Sequence, residues 1–182
     1  MKIRPYILLA DKKTAVYEPK RMYSQSEVYG IVFSDITGEH IRVLYPKKFQ
    51  RQRLLESGAE MYPENAYFNE VDALFDFNGH INTYGFGNAG SKSVKIIKDK
   101  CGDEWFIPSL GELISAIHCR EEIDFLLSYI NESYRLSLSK DIWTSSIYDN
   151  TNAYYCYSGN GYIGSIEFYQ DFTVTPITLL PE

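Results

Sequence analysis

The chain has 182 residues, 45% hydrophobic and 15% aromatic, with a formal net charge of -6 at pH 7. That balance suits one domain with a sizeable core, excludes a disordered chain, and argues against nucleic acid or an anionic membrane as partner. Cys101, Cys119 and Cys156, an odd number at wide spacing, supply neither a disulfide framework nor a zinc knuckle and read as free thiols acting as small hydrophobes.

The opening run Tyr6-Ile7-Leu8-Leu9-Ala10 is too short for the apolar segment of a secretory signal or for a bilayer span. The sequence therefore reads as a chain made in the cytoplasm that reaches the outside by cell lysis, or one whose leader has been removed. Tyr6 to Ala10 and Thr14 to Tyr17 predict a short hairpin around Asp11-Lys12-Lys13, and residues 1 to 27 are set apart as an N-terminal extension from a domain over residues 28 to 182. Tyr29, Ile31 and Phe33 alternate with Gly30, Val32 and Ser34, as Ile41, Val43 and Tyr45 do across Arg42 and Leu44, which predicts a hairpin with one buried face. Phe49 to Tyr62 is polar and reads as a helical turn or two before a loop at Pro63.

Asp76 to Thr83 is dense in turn formers, and Gly85 to Gly90 reads as a loop rather than a nucleotide cradle. Ser91 to Lys98 predicts a short helix with Val94 and Ile97 on one side. Ser109-Leu110-Gly111-Glu112 is a capping box opening a helix with Leu110, Leu113, Ile114 and Ile117 inward. A second amphipathic stretch, Glu121 to Glu132, buries Ile123, Leu126, Leu127 and Ile130. Strands follow at Asp141 to Ser146, Ala153 to Ser158, Tyr162 to Tyr169 and Val174 to Leu179, with Ser158-Gly159-Asn160-Gly161 joining the middle two and Pro176 making the last an edge or a bulge.

Charge is unevenly spread. Asp141 to Glu182 holds five acids and no Lys, Arg or His, whereas residues 1 to 60 hold eleven Lys or Arg against seven acids, or +4. Lys47, Lys48, Arg51 and Arg53 are the basic cluster, read as solvated or protein-docking because no nucleic-acid motif accompanies it. Residues 143 to 170 contain six Tyr, four Ser, three Asn and three Gly, the composition of an adaptable recognition surface. Candidate binding residues are Tyr148, Asn150, Asn152, Tyr155, Tyr157, Asn160 and Tyr162; the alternative is that alternate tyrosines form the core face of strands. His40, His80 and His118 make no i, i+4 pair, and His118 and Cys119 are adjacent on a helix and point about 100° apart, so neither a helical zinc pair nor a Cys–His dyad is predicted. No catalytic residue, metal or cofactor is expected.

Trp105-Phe106-Ile107-Pro108-Ser109-Leu110-Gly111-Glu112-Leu113 resembles the Trp-x-Leu-Pro-(Ser/Thr)-x-x-Glu-Leu motif of the C-type-lectin-like domains of Bacteroidetes surface proteins and phage adhesins. Asp76-Phe77-Asn78-Gly79 with Asn82-Thr83, Trp143-Thr144-Ser145-Ser146, Asn152-Ala153-Tyr154-Tyr155 and Val174-Thr175-Pro176-Ile177 resemble its other segments in order, over Val28 to Leu180. The resemblance implies an α+β, C-type-lectin-like fold: two helices flanking a small, twisted, mostly antiparallel sheet, with N-terminal β-hairpins and the chain ends brought together. It makes Trp105, Pro108, Ser109, Glu112, Trp143, Ser145 and Pro176 structural residues. Thr175 stands where the family usually carries Arg, so that residue's contact is not carried over. Pro63-Glu64-Asn65 and Trp143-Thr144-Ser145 lack the carboxylates of the calcium-binding lectin triplets, and the paired cysteines of the sulfatase-modifying oxidases have no counterpart. The implied function is non-enzymatic binding: a phage virion component contacting other subunits, as a homo-oligomer or virion assembly, or a host-surface glycan or protein receptor; the alternative is an adhesin-like domain at the bacterial cell surface, and a minor alternative is an enzyme of the sulfatase-modifying-oxidase-like fold.

Overall fold

Asp11 closes the first turn by accepting the N–H groups of Lys13 and Thr14, both at 2.9 Å, and so joins strand β1 (Tyr6–Leu9) to β2 (Ala15–Val16). This is a computed structural model describing residues 3–47, 49–61, 66–130 and 133–181; of the positions named above, Lys48, Tyr62, Pro63, Glu64, Asn65, Glu132 and Glu182 lie outside these. β3 (Val28–Ser34) and β4 (Ile41–Leu44) form the expected second hairpin, and β1 pairs antiparallel with β3, so both hairpins share one sheet.

The remaining elements are β5 (Arg51–Gln52), helices α1 (Glu70–Ala73), α2 (Gly79–Asn88), α3 (Lys92–Cys101), α4 (Leu110–His118) and α5 (Arg120–Ser128), a 3-10 turn at Leu136–Leu138, and strands β6 (Asp141–Ile147), β7 (Asn152–Tyr157), β8 (Tyr162–Glu167), β9 (Phe172–Thr173) and β10 (Ile177–Leu179). They build two five-stranded sheets, ordered β10-β4-β3-β1-β2 and β5-β9-β6-β7-β8, rather than the single small sheet expected. All pairings are antiparallel except β6 with β9.

The predicted one-faced hairpin is corrected as well. Ile31 and Phe33 pack with Ile117, Ile123 and Leu127 of α4 and α5, while Val32 and Val43 face the opposite way, into a cluster with Ile97, Trp105 and Trp143. Both faces of β3 are therefore buried, because helices lie on one side and the tryptophans and α3 on the other. At about 1.5–3 kcal/mol for each large apolar side chain fully buried, neither face is expendable.

Four local expectations also change. The polar stretch after Phe49 holds a strand, β5, not a helical turn. The turn at Asp76 ends by Asn78, and α2 runs through the glycine-rich segment as far as Asn88. β8 ends at Glu167, two residues early. Of the single strand expected from Val174 to Leu179 only β10, Ile177–Leu179, forms; β9 lies just before it in the other sheet, Pro176 stands between the two, and β10 is an edge strand.

Candidate functional site

Three of the resemblance motifs, around Asp76, Ser109 and Ser146, converge where α2, α4 and β6 meet. Asp76, fully buried, accepts from Asn78 N–H at 2.9 Å, Asn82 Nδ2 at 2.8 Å and Ser146 Oγ at 2.6 Å. Its backbone carbonyl takes the Ser109 hydroxyl at 2.6 Å. The capping box forms, with Glu112 accepting the Ser109 N–H at 2.9 Å. Glu112 is itself fully buried and is met by Arg42 Nε at 2.6 Å, so its cation comes from β4 and not from the closing segment, where Thr175 lies buried.

Ser145 Oγ donates to the Ile107 carbonyl at 2.9 Å and its N–H to the Pro108 carbonyl at 2.7 Å; Leu110 N–H donates to Ser146 Oγ at 2.8 Å. The approach is close: a Cβ on Gly79 would stand 2.3 Å from Glu112 Oε2 and 2.8 Å from the Ile107 carbonyl oxygen. A buried network with its members satisfied in this way fixes a fold. Trp105 and Trp143 are buried beside it, Trp143 donating its indole N–H to the Gln52 carbonyl at 2.9 Å. Pro176 is buried, its carbonyl accepting the Tyr45 N–H at 2.9 Å.

The tyrosine-rich segment divides. Tyr155 and Tyr157 of β7 stand opposite Gly164 and Tyr162 of β8, on one sheet face. Tyr157 is 39% exposed and Tyr162 60%, while Tyr155 is half-buried between Tyr162 (centroids 6.4 Å apart) and Phe172 (4.9 Å). Phe172 lies on Trp143 at 4.8 Å, and the Arg51 guanidinium sits 5.5 Å from the Phe172 centroid. Burial, then the neighbouring Tyr162 and Asp141, pushes the Tyr155 phenol up from its ordinary value, so it remains a neutral donor and acceptor at physiological pH. Asn160, in the β7–β8 turn, is exposed and caps Tyr162 N–H at 3.0 Å.

Tyr148, Asn150 and Asn152 lie at the other end of β7, about 20 Å away at the usual rise of a six-residue strand. There Asp149 gathers the N–H groups of Thr151 and Asn152 and the Asn152 Nδ2, each at 2.8 Å. Burial alone would raise the Asp149 carboxyl, but these hydrogen bonds outweigh it and lower its pKa. Tyr148 packs edge-on against buried Tyr154 at 5.7 Å, and Asn150 is exposed. The seven candidates thus form two groups, of which Tyr155, Tyr157, Asn160 and Tyr162 make one aromatic surface.

Phe172 belongs to that surface and was missed, since it comes from a two-residue strand; Arg51, named above only as part of the basic cluster, also joins it. The basic cluster is partly spent inside the chain: Arg51 and Arg53 reach Asp141 at 4.0 Å and Asp171 at 3.5 Å, joining the +4 and -5 regions. Also missed was a cleft of about 480 Å³ between α2 and β10, with Lys12, Tyr29, Tyr84, Glu104, Trp105 and Leu179 among its walls. His40 stacks on Phe77 and His80 lies edge-on to Phe106. Burial pushes the Cys101 thiol up to about 11 and the Cys156 thiol to about 12, the opposite of an activated nucleophile. Among the described residues no group of three His, Cys, Asp or Glu gathers in a metal-holding arrangement, and no helix is long and apolar enough to cross a membrane.

No protein-family model matches the chain, and no curated protein matches it by sequence. Its structure is similar to the crystal structure of a fimbrial protein from Bacteroides ovatus ATCC 8483, with a TM-score of 0.73 at 13% identity. The match covers 98% of this chain and 49% of that one, so the chain spans about half the length of the fimbrial protein. At that identity the likeness is one of fold: a mixed α+β architecture shared with a fimbrial protein.

Proposed function

We propose that this chain is a non-enzymatic recognition domain of an adhesin-like protein at the bacterial cell surface, built on a C-type-lectin-like plan, with the Tyr155–Tyr157–Tyr162–Phe172 face contacting a protein or glycan receptor. The observation that carries the reading is this aromatic row, exposed at Tyr157 and Tyr162 and edged by Arg51 and Asp141, on a sheet whose buried hydroxyls are already hydrogen-bonded within the chain. Large, torsionally simple aromatics beside a few polar groups are the usual energetic centre of a contact surface. The fold likeness to a fimbrial protein favours the cell surface over a phage virion and supports assembly with other proteins. Tyr157→Ala with Tyr162→Ala should abolish binding of the labelled protein to receptor-bearing cells or a glycan array while leaving its melting temperature near the parent's. Unchanged binding by that folded double variant would remove this face from the function.

A further inference from the structure

Strand β8 closes one side of the second sheet, and among the described residues it pairs with β7 alone. That pairing determines which of its backbone groups are left over. One step beyond the Asn152–Glu167 pair, Phe168 N–H donates to the Thr151 carbonyl at 3.1 Å. Bonded and non-bonded pairs alternate along an antiparallel ladder. Tyr162, Gly164 and Ile166 therefore direct their N–H and C=O groups to β7, and those of Ile163 and Ser165 point outward. The Glu167 carbonyl turns to Gln170 N–H at 3.1 Å. Natural edges are usually shielded by Lys, Pro, a bulge or a covering helix. Tyr162-Ile163-Gly164-Ser165-Ile166-Glu167 contains no Lys or Pro, and its six residues pair with β7 without a register shift.

We propose that β8 is a self-pairing edge, through which two copies of the chain associate as a two-fold dimer, antiparallel, with Gly164 at the axis. The idea rests on the assembly part of the reading above and names the partner as a second copy. In this register Ile163 exchanges both backbone bonds with the partner's Ser165, and Ser165 with the partner's Ile163. Tyr162 stands opposite the partner's Ile166, an aromatic and β-branched pair of the kind that stabilises sheets. Glu167, the strand's one charge, falls outside the paired stretch, so no like charges meet.

The axis position suits the residue that occupies it. A non-bonded antiparallel pair brings Cα atoms within about 4.5 Å, and at a two-fold axis a residue meets itself. Gly164 permits that approach, and the Tyr155 ring already covers it: a Cβ there would stand 2.8 Å from Tyr155 Cε1. One such ring from each copy would wall the axis. Because the two-fold runs through the sheet, both aromatic faces lie on the same side, doubling the recognition surface for a multivalent receptor.

Sedimentation of the full chain over a concentration series should show a monomer–dimer equilibrium, and Ser165→Pro, which removes one outward N–H per copy, should weaken it by roughly tenfold or more. A strict monomer at every concentration overturns the proposal. So does a dimer untouched by Ser165→Pro in a protein that melts like the parent. Should that variant fail to fold, Tyr162→Cys with Ile166→Cys in a Cys101→Ser background decides, because the two new thiols are too far apart within one strand to bridge but adjacent across the axis. Disulfide-linked dimers under mild oxidation support the register, and their absence overturns it. Tyr157→Ala leaves the β8 backbone intact, so loss of receptor binding with dimerisation retained, or the reverse, separates the failure of one reading from that of the other.

Discussion

Single residues in this fold differ sharply in worth even where their chemistry looks alike. Arg42–Glu112 and Arg53–Asp171 are both ion pairs, but the first has side chains 10% and 0% exposed and the second 48% and 56%. Removing one partner of a buried pair strands a desolvated charge, so Glu112→Ala should cost about 3–5 kcal/mol. Asp171→Ala, on a solvated pair, should cost about 0–1 kcal/mol. Urea denaturation of both variants tests the ranking; similar small losses would mean that Glu112 does not anchor α4. The loss at Glu112 also includes the Ser109 cap, so it is the larger of the two on two separate grounds.

Among the elements, those with a regular apolar pattern were legible and those held by remote partners were not. The hairpin β3–β4 and the capped helix α4 follow from alternation and from Ser109-x-x-Glu112, which are local signals. α2 is invisible to such reasoning because Gly79, Gly85 and Gly87 lower helix propensity and its buried residues are few: Gly79, Thr83 and Phe86. Its place is set by Thr83, which exchanges bonds with the Ile107 N–H and carbonyl at 2.9 and 3.2 Å, and by Gly79 pressed against Glu112. Gly79→Ala should accordingly destabilise the protein by more than about 1–3 kcal/mol, the usual range for overpacking, because two of the crowded atoms are backbone. A melting temperature equal to the parent's would show that α2 can shift to make room. The aromatic surface was half legible on the same principle: alternation puts Tyr155 and Tyr157 together, but Arg51 reaches the Asp171 carbonyl across 120 residues of chain, which no local pattern encodes.

For the whole molecule, several wholly or partly buried acids of high pKa act in one direction. Burial, chiefly, pushes the phenols of Tyr45, Tyr134 and Tyr154 up to about 12 from an ordinary value of 10.0, and the thiols of Cys101 and Cys156 to about 11 and about 12 from 9.0. Below the ordinary values both folded and unfolded chains hold these protons, and the stabilisation is complete. As pH rises through the window from 9.0 to about 12 the unfolded chain releases them first, so stability falls and is lost above the folded values. The urea midpoint should drop steeply between about pH 9 and about pH 12, and Tyr45→Phe should lessen the drop. A level midpoint over that range would contradict the burial of these groups.

The sheet order carries a mechanical consequence. Tyr6, Val32, Val43 and Thr178 lie in one row across β1, β3, β4 and β10, and β10 runs antiparallel to β1. Pro5 and Leu179 thus leave the sheet from the same end, three strand spacings or about 14 Å apart. Tension applied between them acts along the hydrogen bonds rather than along the strands, so the rows of the first sheet open one after another, as in peeling. The second sheet, with Tyr155, Tyr157 and Tyr162, lies off that path. Under such a load the first sheet would lengthen while the aromatic face kept its shape.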